Sequence, residues 1–249
     1  MIMRLDSIAA GRETYVVALW APSFFSAGVI TKSERGLCVS GIHVSEVVVR
    51  RLPQYYRQLE TLEREGVRRI SSKELGEQMG LTASQIRQDI NFFGAFGQQG
   101  YGYNVSELKR HLGEILGLDK NYNMIVVGAG NIGHAIVNYQ SFQRRGFRVV
   151  GLFDKSAVII GKEINGVKVR DMAELEAFLR ENDVDIGAIC TPMDTAQGIA
   201  DLMVAGGIKA IWNFAPVMLE VPPEIPINHV HLTDSLLMLS YKLKHFEKE

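Results

Sequence analysis

Cysteine is nearly absent from this chain: there are two in 249 residues, Cys38 and Cys190, far apart and without metal-ligand spacing. That scarcity argues against a disulfide framework and a zinc site, and it fits a reducing cytoplasm. Long apolar runs are also missing. Tyr15 to Ile30 is fairly apolar, but Pro22, Gly28 and serines interrupt it, so it is too short and too broken to span a bilayer. No clear basic segment precedes a clean apolar core, as a secretory signal requires, and no membrane association is expected. An excess of one charge is lacking as well, with 27 basic and 28 acidic residues and a net charge of -1. Along the chain the balance is +1 for residues 1–42, +2 for 43–112 and -4 for 113–249. The small central excess permits nucleic-acid binding without proving it, because clustering on one face matters more than the sum.

The length suits two modest domains or one large one. Before residue 43 the pattern is uninformative as a fold, and the codons offer another reading. Glu34-Arg35-Gly36 can be encoded by a purine run like a bacterial ribosome-binding site, and Val39 by a GTG start. Residues 1–42 are therefore expected to be a leader, non-native or disordered. Mass spectrometry of the protein from its own host would check this.

From Ser45 the text turns helical, with Val47 to Val49 and Leu52 before Pro53, and Tyr55, Tyr56, Leu59 and Leu62 after it. Pro53 suits the first position of a new helix and Gly66 its stop. A short helix follows, with Ser72 as its expected N-cap, Leu75 and Met79 inward and Gly80 at its end. Leu81-Thr82 then leads into a helix from Ala83 to about Phe93 that carries Ile86, Ile90 and Phe93 on one face. Two short helices joined by a glycine-containing turn read as a helix-turn-helix. Gly94, Gly97, Gly100 and Gly102 space out Phe96, Tyr101 and Tyr103, the composition of a small hairpin, here a wing. Asn104 to Leu116 returns to helix. The outward set on the third helix, Ser84, Gln85, Arg87, Gln88 and Asn91, can bond base edges or phosphates, and Arg87 suits a bidentate contact to guanine. Ser71, Ser72 and Lys73 before it, and Tyr101, Gly102 and Tyr103 in the wing, complete the candidate DNA-binding set.

After a linker the pattern alternates strand and helix, which predicts a parallel sheet covered on both faces. Strands are expected at Met124–Val127, Phe147–Phe153, Ile186–Cys190, Ala210–Asn213 and His229–His231. Helices are expected near Asn131–Arg145, Met172–Asn182, Thr195–Ala205 and Ser235–Phe246. Cys190, inside an apolar run, reads as a small buried thiol rather than a redox sensor. The strongest local signal is Gly128-Ala129-Gly130-Asn131-Ile132-Gly133, directly after an apolar strand and opening a helix. Its glycines permit a tight turn, close approach of a pyrophosphate, and tight packing of helix on strand. Asp154, at the end of the next strand, stands at the distance expected of an acid that binds both ribose hydroxyls. A carboxylate there repels a 2'-phosphate, so NAD(H) is favoured over NADP(H).

Several runs together resemble the Rex family of redox-sensing repressors: Tyr55-Tyr56-Arg57-Gln58-Leu59, Ser71-Ser72-Lys73-Glu74-Leu75-Gly76, Gln85-Ile86-Arg87-Gln88-Asp89, Phe93-Gly94-Ala95-Phe96-Gly97, Gly100-Tyr101-Gly102-Tyr103 and Asn213-Phe214-Ala215-Pro216. The likeness extends from about His43 to the C-terminus. After the leader it implies an α/β chain with three parts: a winged-helix DNA-binding domain over 43–117, a Rossmann domain over 118–234, and a dimerisation helix over 235–249. It implies a homodimer that holds double-stranded operator DNA when NAD+ prevails and lets go when NADH occupies both pockets. The C-terminal helix would be exchanged between subunits, and Leu236, Leu237, Leu239 and Leu243 give it the apolar surface for that. The cofactor candidates are then Gly128, Ala129, Gly130, Asn131, Ile132, Gly133, Tyr139, Asp154, Lys155, Thr191, Pro192, Asn213, Phe214, Ala215 and Leu232. A circuit between the domains would use Arg57, Tyr139 and an acid from the partner, whose aligned position here is His231, with Asp234 as a substitute close by. Gln88 and the pair Gln98-Gln99 stand where many relatives carry basic residues, so a variant palindrome is expected.

Two other readings stay open on the residues alone. An NAD-dependent dehydrogenase needs a proton donor or acceptor beside the nicotinamide, and His134, His229 and His231 come with no convincing acid partner. A CoA- or nucleotide-binding module fits a similar sheet, but Asp154 would repel the 3'-phosphate of its adenosine ribose.

Overall fold

A computed structural model describes residues 45–94, 96–98 and 101–246, with the backbone of five short strands before them. These are β1 (Met3–Arg4), β2 (Thr14–Ala18), β3 (Ala27–Thr31), β4 (Leu37–Val39) and β5 (Ile42–Val44), paired antiparallel as β1-β2-β3 and β4-β5. The expectation for residues 1–42, like that for Gln99, otherwise falls outside the described residues. The chain divides into two compact units between Asp119 and Lys120.

After these strands the first unit continues with one unbroken helix, α1 (Glu46–Arg64), in which Pro53 is internal rather than the start of a new helix. The reason lies in the phase of the buried stripe. Val48, Leu52, Tyr55, Leu59 and Leu62 repeat at steps of four and three straight through the proline, and all are buried. An interior proline costs about 3 kcal/mol, and burying Val48 and Leu52 returns about 1.5–3 kcal/mol each, so continuity wins. Strand β6 (Arg69–Ile70) leads to α2 (Ser72–Met79). Ser71, not Ser72, caps it: its Oγ accepts from Glu74 N at 3.1 Å, while Glu74 Oε2 accepts from Ser71 N at 2.8 Å. Gly80 ends α2 in the left-handed region, and α3 (Ala83–Asn91) follows with Thr82 as its cap. Phe92 and Phe93 lie past its last turn. The wing is β7 (Gly97–Gln98) against β8 (Gly102–Asn104), with β6 on the other side of β8. Helix α4 (Val105–Ile115) packs back on α1, and Leu52, Tyr55, Leu59, Leu75, Ile86, Ile90, Leu108 and Leu112 form one core.

The second unit is a seven-stranded sheet. Its strands are β9 (Tyr122–Val127), β10 (Phe147–Asp154), β11 (Glu163–Ile164), β12 (Val167–Asp171), β13 (Ile186–Ile189), β14 (Ala210–Asn213) and β15 (Ile227–His229), in the order β11-β12-β10-β9-β13-β14-β15. All pairings are parallel except β11 with β12. Counting the six parallel strands in chain order, their spatial order is 3-2-1-4-5-6, the doubly wound arrangement whose reversal between β9 and β13 opens a crevice at the strand ends. Along β9, Ile125 and Val127 enter one apolar cluster and Met124 and Val126 another, so both faces are buried, as the unbroken apolar run requires. Helices α5 (Asn131–Asn138), α6 (Gln140–Gln143), α7 (Leu175–Glu181), α8 (Met193–Ala205) and α9 (Leu232–Phe246) complete the unit.

Four expectations change, the first being the strand expected at His229–His231, which lies at Ile227–His229. The helix expected over Asn131–Arg145 breaks at Tyr139, whose ψ of 89° is not helical. Strands β11 and β12 went unforeseen, although Ile164-Asn165-Gly166-Val167 is an Asn-Gly hairpin signal. The last helix starts at Leu232 rather than Ser235, and Ser235 sits within its first turn, donating from Oγ to Leu232 O at 3.1 Å. Leu232 and Asp234 therefore belong to this helix.

Candidate functional site

In the second unit, β9 ends in a loop that α5 continues, at the sheet's point of reversal. Gly128 has φ +97°, and a Cβ there would stand 2.6 Å from Cys190 O, so no other residue fits. A Cβ on Gly133 would stand 1.9 Å from Gly128 O, which lets α5 lie directly on the loop. Gly130 is different: a Cβ there meets nothing within 4 Å. Packing within the protein gives no reason for that glycine, whereas a ligand lying against the loop does. No side chain caps the amino end of α5. Close by in sequence to Cys190, whose carbonyl adjoins Gly128, Thr191 holds a buried Oγ1 with no hydrogen-bond partner. An open backbone cradle, an uncapped helix end and an orphaned hydroxyl fit a dinucleotide's pyrophosphate.

Asp154 ends β10 beside this loop. Its Oδ2 accepts from Ala129 N at 2.7 Å and its Oδ1 from Ser156 N at 2.8 Å, which aims the carboxylate at the cradle's edge. Lys155 is exposed next to it, and Pro192 stands at the N-cap position just before α8. Asn213 and Ala215 are buried. Asn213 uses its amide on its own loop: Nδ2 donates to Val217 O at 2.8 Å and Oδ1 accepts from Ala215 N at 2.9 Å. Its place is to hold the Phe214 loop in shape.

A groove of about 370 Å³ joins Asn131, Ile132, Tyr139, Phe214 and Leu232, all foreseen, with Ala135, Ile136, Phe142 and Trp212, which were not. Rings form a ladder along it: Tyr139 to Phe142 at 4.7 Å, Phe142 to Trp212 at 5.7 Å, Trp212 to Phe214 at 4.5 Å. Of the added members, Ala135 and Ile136 lie on α5, Trp212 on β14, and Phe142 on α6 beyond the break at Tyr139, which no sequence period announces. His231 lies half-buried before α9, its ring 6.3 Å from that of His229. Burial and the neighbouring His231 push His229 below its usual range. His134 is exposed and pairs with Asn138, at 3.0 Å. Cys190 is half-buried, and burial pushes its thiol up to about 12, which keeps it inert.

In the first unit, Ser84, Arg87, Gln88 and Asn91 are exposed along α3 and Gln85 is half-buried. Arg87 Nη1 donates to Ser72 Oγ at 2.9 Å, so the guanidinium is steadied against α2. Lys73 is exposed, while Ser71 is occupied as a cap. Tyr101 is 69% exposed at the wing, with the Arg69 guanidinium 5.8 Å from its ring centre. Gly102 has φ +68°, and a Cβ would stand 2.5 Å from Ile70 O, so the wing's contact with β6 needs a glycine. Tyr103 is only 5% exposed, its ring packed in the core rather than on an outer face. Arg57 is exposed on α1. Arg68 and Arg69, exposed on and beside β6, were missed because a two-residue strand leaves no periodic trace.

The fold and the sites define a winged-helix DNA-binding protein fused to a nucleotide-binding Rossmann unit. Residues 43–91 match the family described as putative DNA-binding protein N-terminus, and 119–217 the CoA binding domain family. Redox-sensing transcriptional repressor Rex of Thermoanaerobacter sp. is 55% identical over 204 residues, 82% of this chain and 91% of that one; the Rex of Clostridium perfringens is 53% identical over 202 residues, 81% and 95%. The chain belongs to the Rex family of redox-sensing transcriptional repressors, and is a regulator rather than an enzyme. Among solved structures, RSP in complex with NAD+ and operator DNA aligns with a TM-score of 0.79 at 54% identity, over 83% of this chain and 95% of that one. RSP in complex with NADH gives 0.77 at 52% identity, over 82% and 96%.

Proposed function

We propose that this chain is an NADH-responsive repressor that holds palindromic operator DNA as a homodimer while NAD+ prevails and releases it when NADH binds. The observation that carries the reading is the empty space beside Gly130, a cradle with no use inside the protein. In it the pyrophosphate would lie against the amides at the start of α5, and Asp154 would take the adenosine ribose hydroxyls. The nicotinamide would enter the groove of Ile132, Tyr139, Phe214 and Leu232. The oxidised ring carries a positive charge and the reduced ring does not, so an apolar groove favours NADH by its lower desolvation cost. A coupling of about 1–3 kcal/mol per site between cofactor and DNA is enough for a useful switch.

The homodimer with an exchanged helix is supported by α9, whose Leu232, Leu236, Leu237, Met238, Leu239, Tyr241, Leu243 and Phe246 are each more than half exposed. A terminal helix with that surface in water calls for a partner. In this reading α9 enters the other subunit, and Arg57, Tyr139 and either His231 or Asp234 carry the signal. Closure alters the separation of the two α3 helices, which must match half-sites a helical turn or more apart. The domain boundaries at 43–117, 118–234 and 235–249 belong to this proposal, and so does a cytoplasmic location; no described helix is long and apolar enough to cross a membrane.

The test is operator binding titrated with NADH at constant NAD+: loss of the shifted complex is expected, and an unchanged complex at saturating NADH overturns the reading. The match to a CoA binding domain favours a second reading of the nucleotide unit. Calorimetry with NADH and CoA side by side decides between them, and heat from CoA alone would replace the first.

A further inference from the structure

Helices α1 and α3 share one charged contact that neither the cofactor cradle nor the exposed side of α3 uses. Asp89 faces inward on α3 and is 2% exposed. Arg51 grips both of its oxygens, Nε donating to Oδ2 at 2.7 Å and Nη2 to Oδ1 at 2.8 Å. The Tyr55 hydroxyl, within a wholly buried side chain, donates to Oδ2 at 2.6 Å. The helix's other deep anchors are Ile86 and Ile90, whose contacts have no direction.

Stability alone is a poor reason for such a contact, because apolar residues of similar volume often hold a core as well as a buried ion pair does. Direction is a better one. A guanidinium fork fixes two oxygens along two bond vectors, and so the rotation of the helix that carries them. A rotation of about 20° would carry a side-chain tip about 7 Å from the helix axis through roughly 2.4 Å, more than a hydrogen bond tolerates.

We propose that Asp89, held by Arg51 and Tyr55, is a positioning residue that sets the rotation of α3 and thereby the operator specificity of Arg87, Gln88 and Asn91, without touching DNA. This rests on the reading of α3 as the base-reading helix. The structural alternative is an ion pair that holds the fold together and nothing more.

The experiment compares full-length wild type with Asp89→Asn, which weakens the grip, and Arg51→Lys, which keeps the charge but loses the fork. Each is checked by circular dichroism. Binding is then measured to the palindrome that wild type selects from a random pool and to a scrambled duplex, at several salt concentrations. The ratio of the two affinities should fall roughly tenfold or more in folded variants, the equivalent of about one lost bidentate base contact. Affinity for scrambled DNA and its salt slope should stay as in wild type, because phosphate contacts set both. Folded variants that keep the wild-type ratio overturn the proposal. If Asp89→Asn does not fold, Arg51→Lys decides alone; if neither folds, the contact holds the fold and the proposal is overturned. Wild type with no preference for any palindrome would instead overturn the reading of α3 itself.

Discussion

Replacing Gly130 by alanine separates the needs of the protein from those of its ligand. The backbone there has φ -74°, which alanine adopts freely, and the new methyl meets no protein atom within 4 Å. Folding stability should therefore hold or rise by about 0.4–1 kcal/mol, since alanine has fewer unfolded conformations to lose. The methyl would project into the cradle where the pyrophosphate is proposed to lie. A ligand pushed back from the loop loses its hydrogen bonds to the helix amides, each worth about 1.5–3 kcal/mol with a charged acceptor, so two cost about 3 kcal/mol or more. That is at least about 100-fold in affinity. Gly133→Ala is the contrast. Its Cβ would begin 1.9 Å from Gly128 O, so both stability and cofactor binding should fall. The assays are thermal unfolding and a fluorescence titration with NADH. Gly130→Ala should unfold at or above the wild-type temperature yet hold operator at NADH levels that release wild type. If it binds NADH within about threefold of wild type, the cradle is not where the pyrophosphate lies.

Other outcomes follow from single contacts. Gly102→Ala places a methyl 2.5 Å from Ile70 O and should weaken operator binding while leaving NADH binding intact; an unchanged gel shift would remove the wing from the interface. Ending the chain before Leu232 removes the exposed apolar helix α9, so sedimentation should give a monomer, and a persistent dimer would show that other surfaces suffice. His229 is held below its ordinary value of 6.5, so the folded state disfavours its proton. As pH drops through that value the unfolded chain takes up the proton more readily than the folded one, so stability should fall. His229→Gln should flatten that slope, and an equal slope in both proteins would assign it to other groups.

The two reading periods of the chain were legible at once. Apolar residues at steps of three and four marked the helices around Tyr55, Ile86 and Leu108, and an unbroken apolar run before a glycine fingerprint marked β9 and its loop. Those signals are local, since a helix face or a tight turn is set by neighbours in sequence. Asp154 was legible for the same reason, at the end of the next strand. Tertiary contact decided what no window of sequence holds. It kept α1 whole through Pro53, because the buried stripe on both sides outweighed one lost bond and a crowded ring. It broke the helix at Tyr139 and set Phe142 beside Trp212, in one groove with Phe214. It turned the polar atoms of Asn213 into a brace for its own loop and buried Tyr103 in the core. And it paired Arg51 with Asp89 across 38 residues, a contact that exists only when two helices meet, so neither residue alone could announce it.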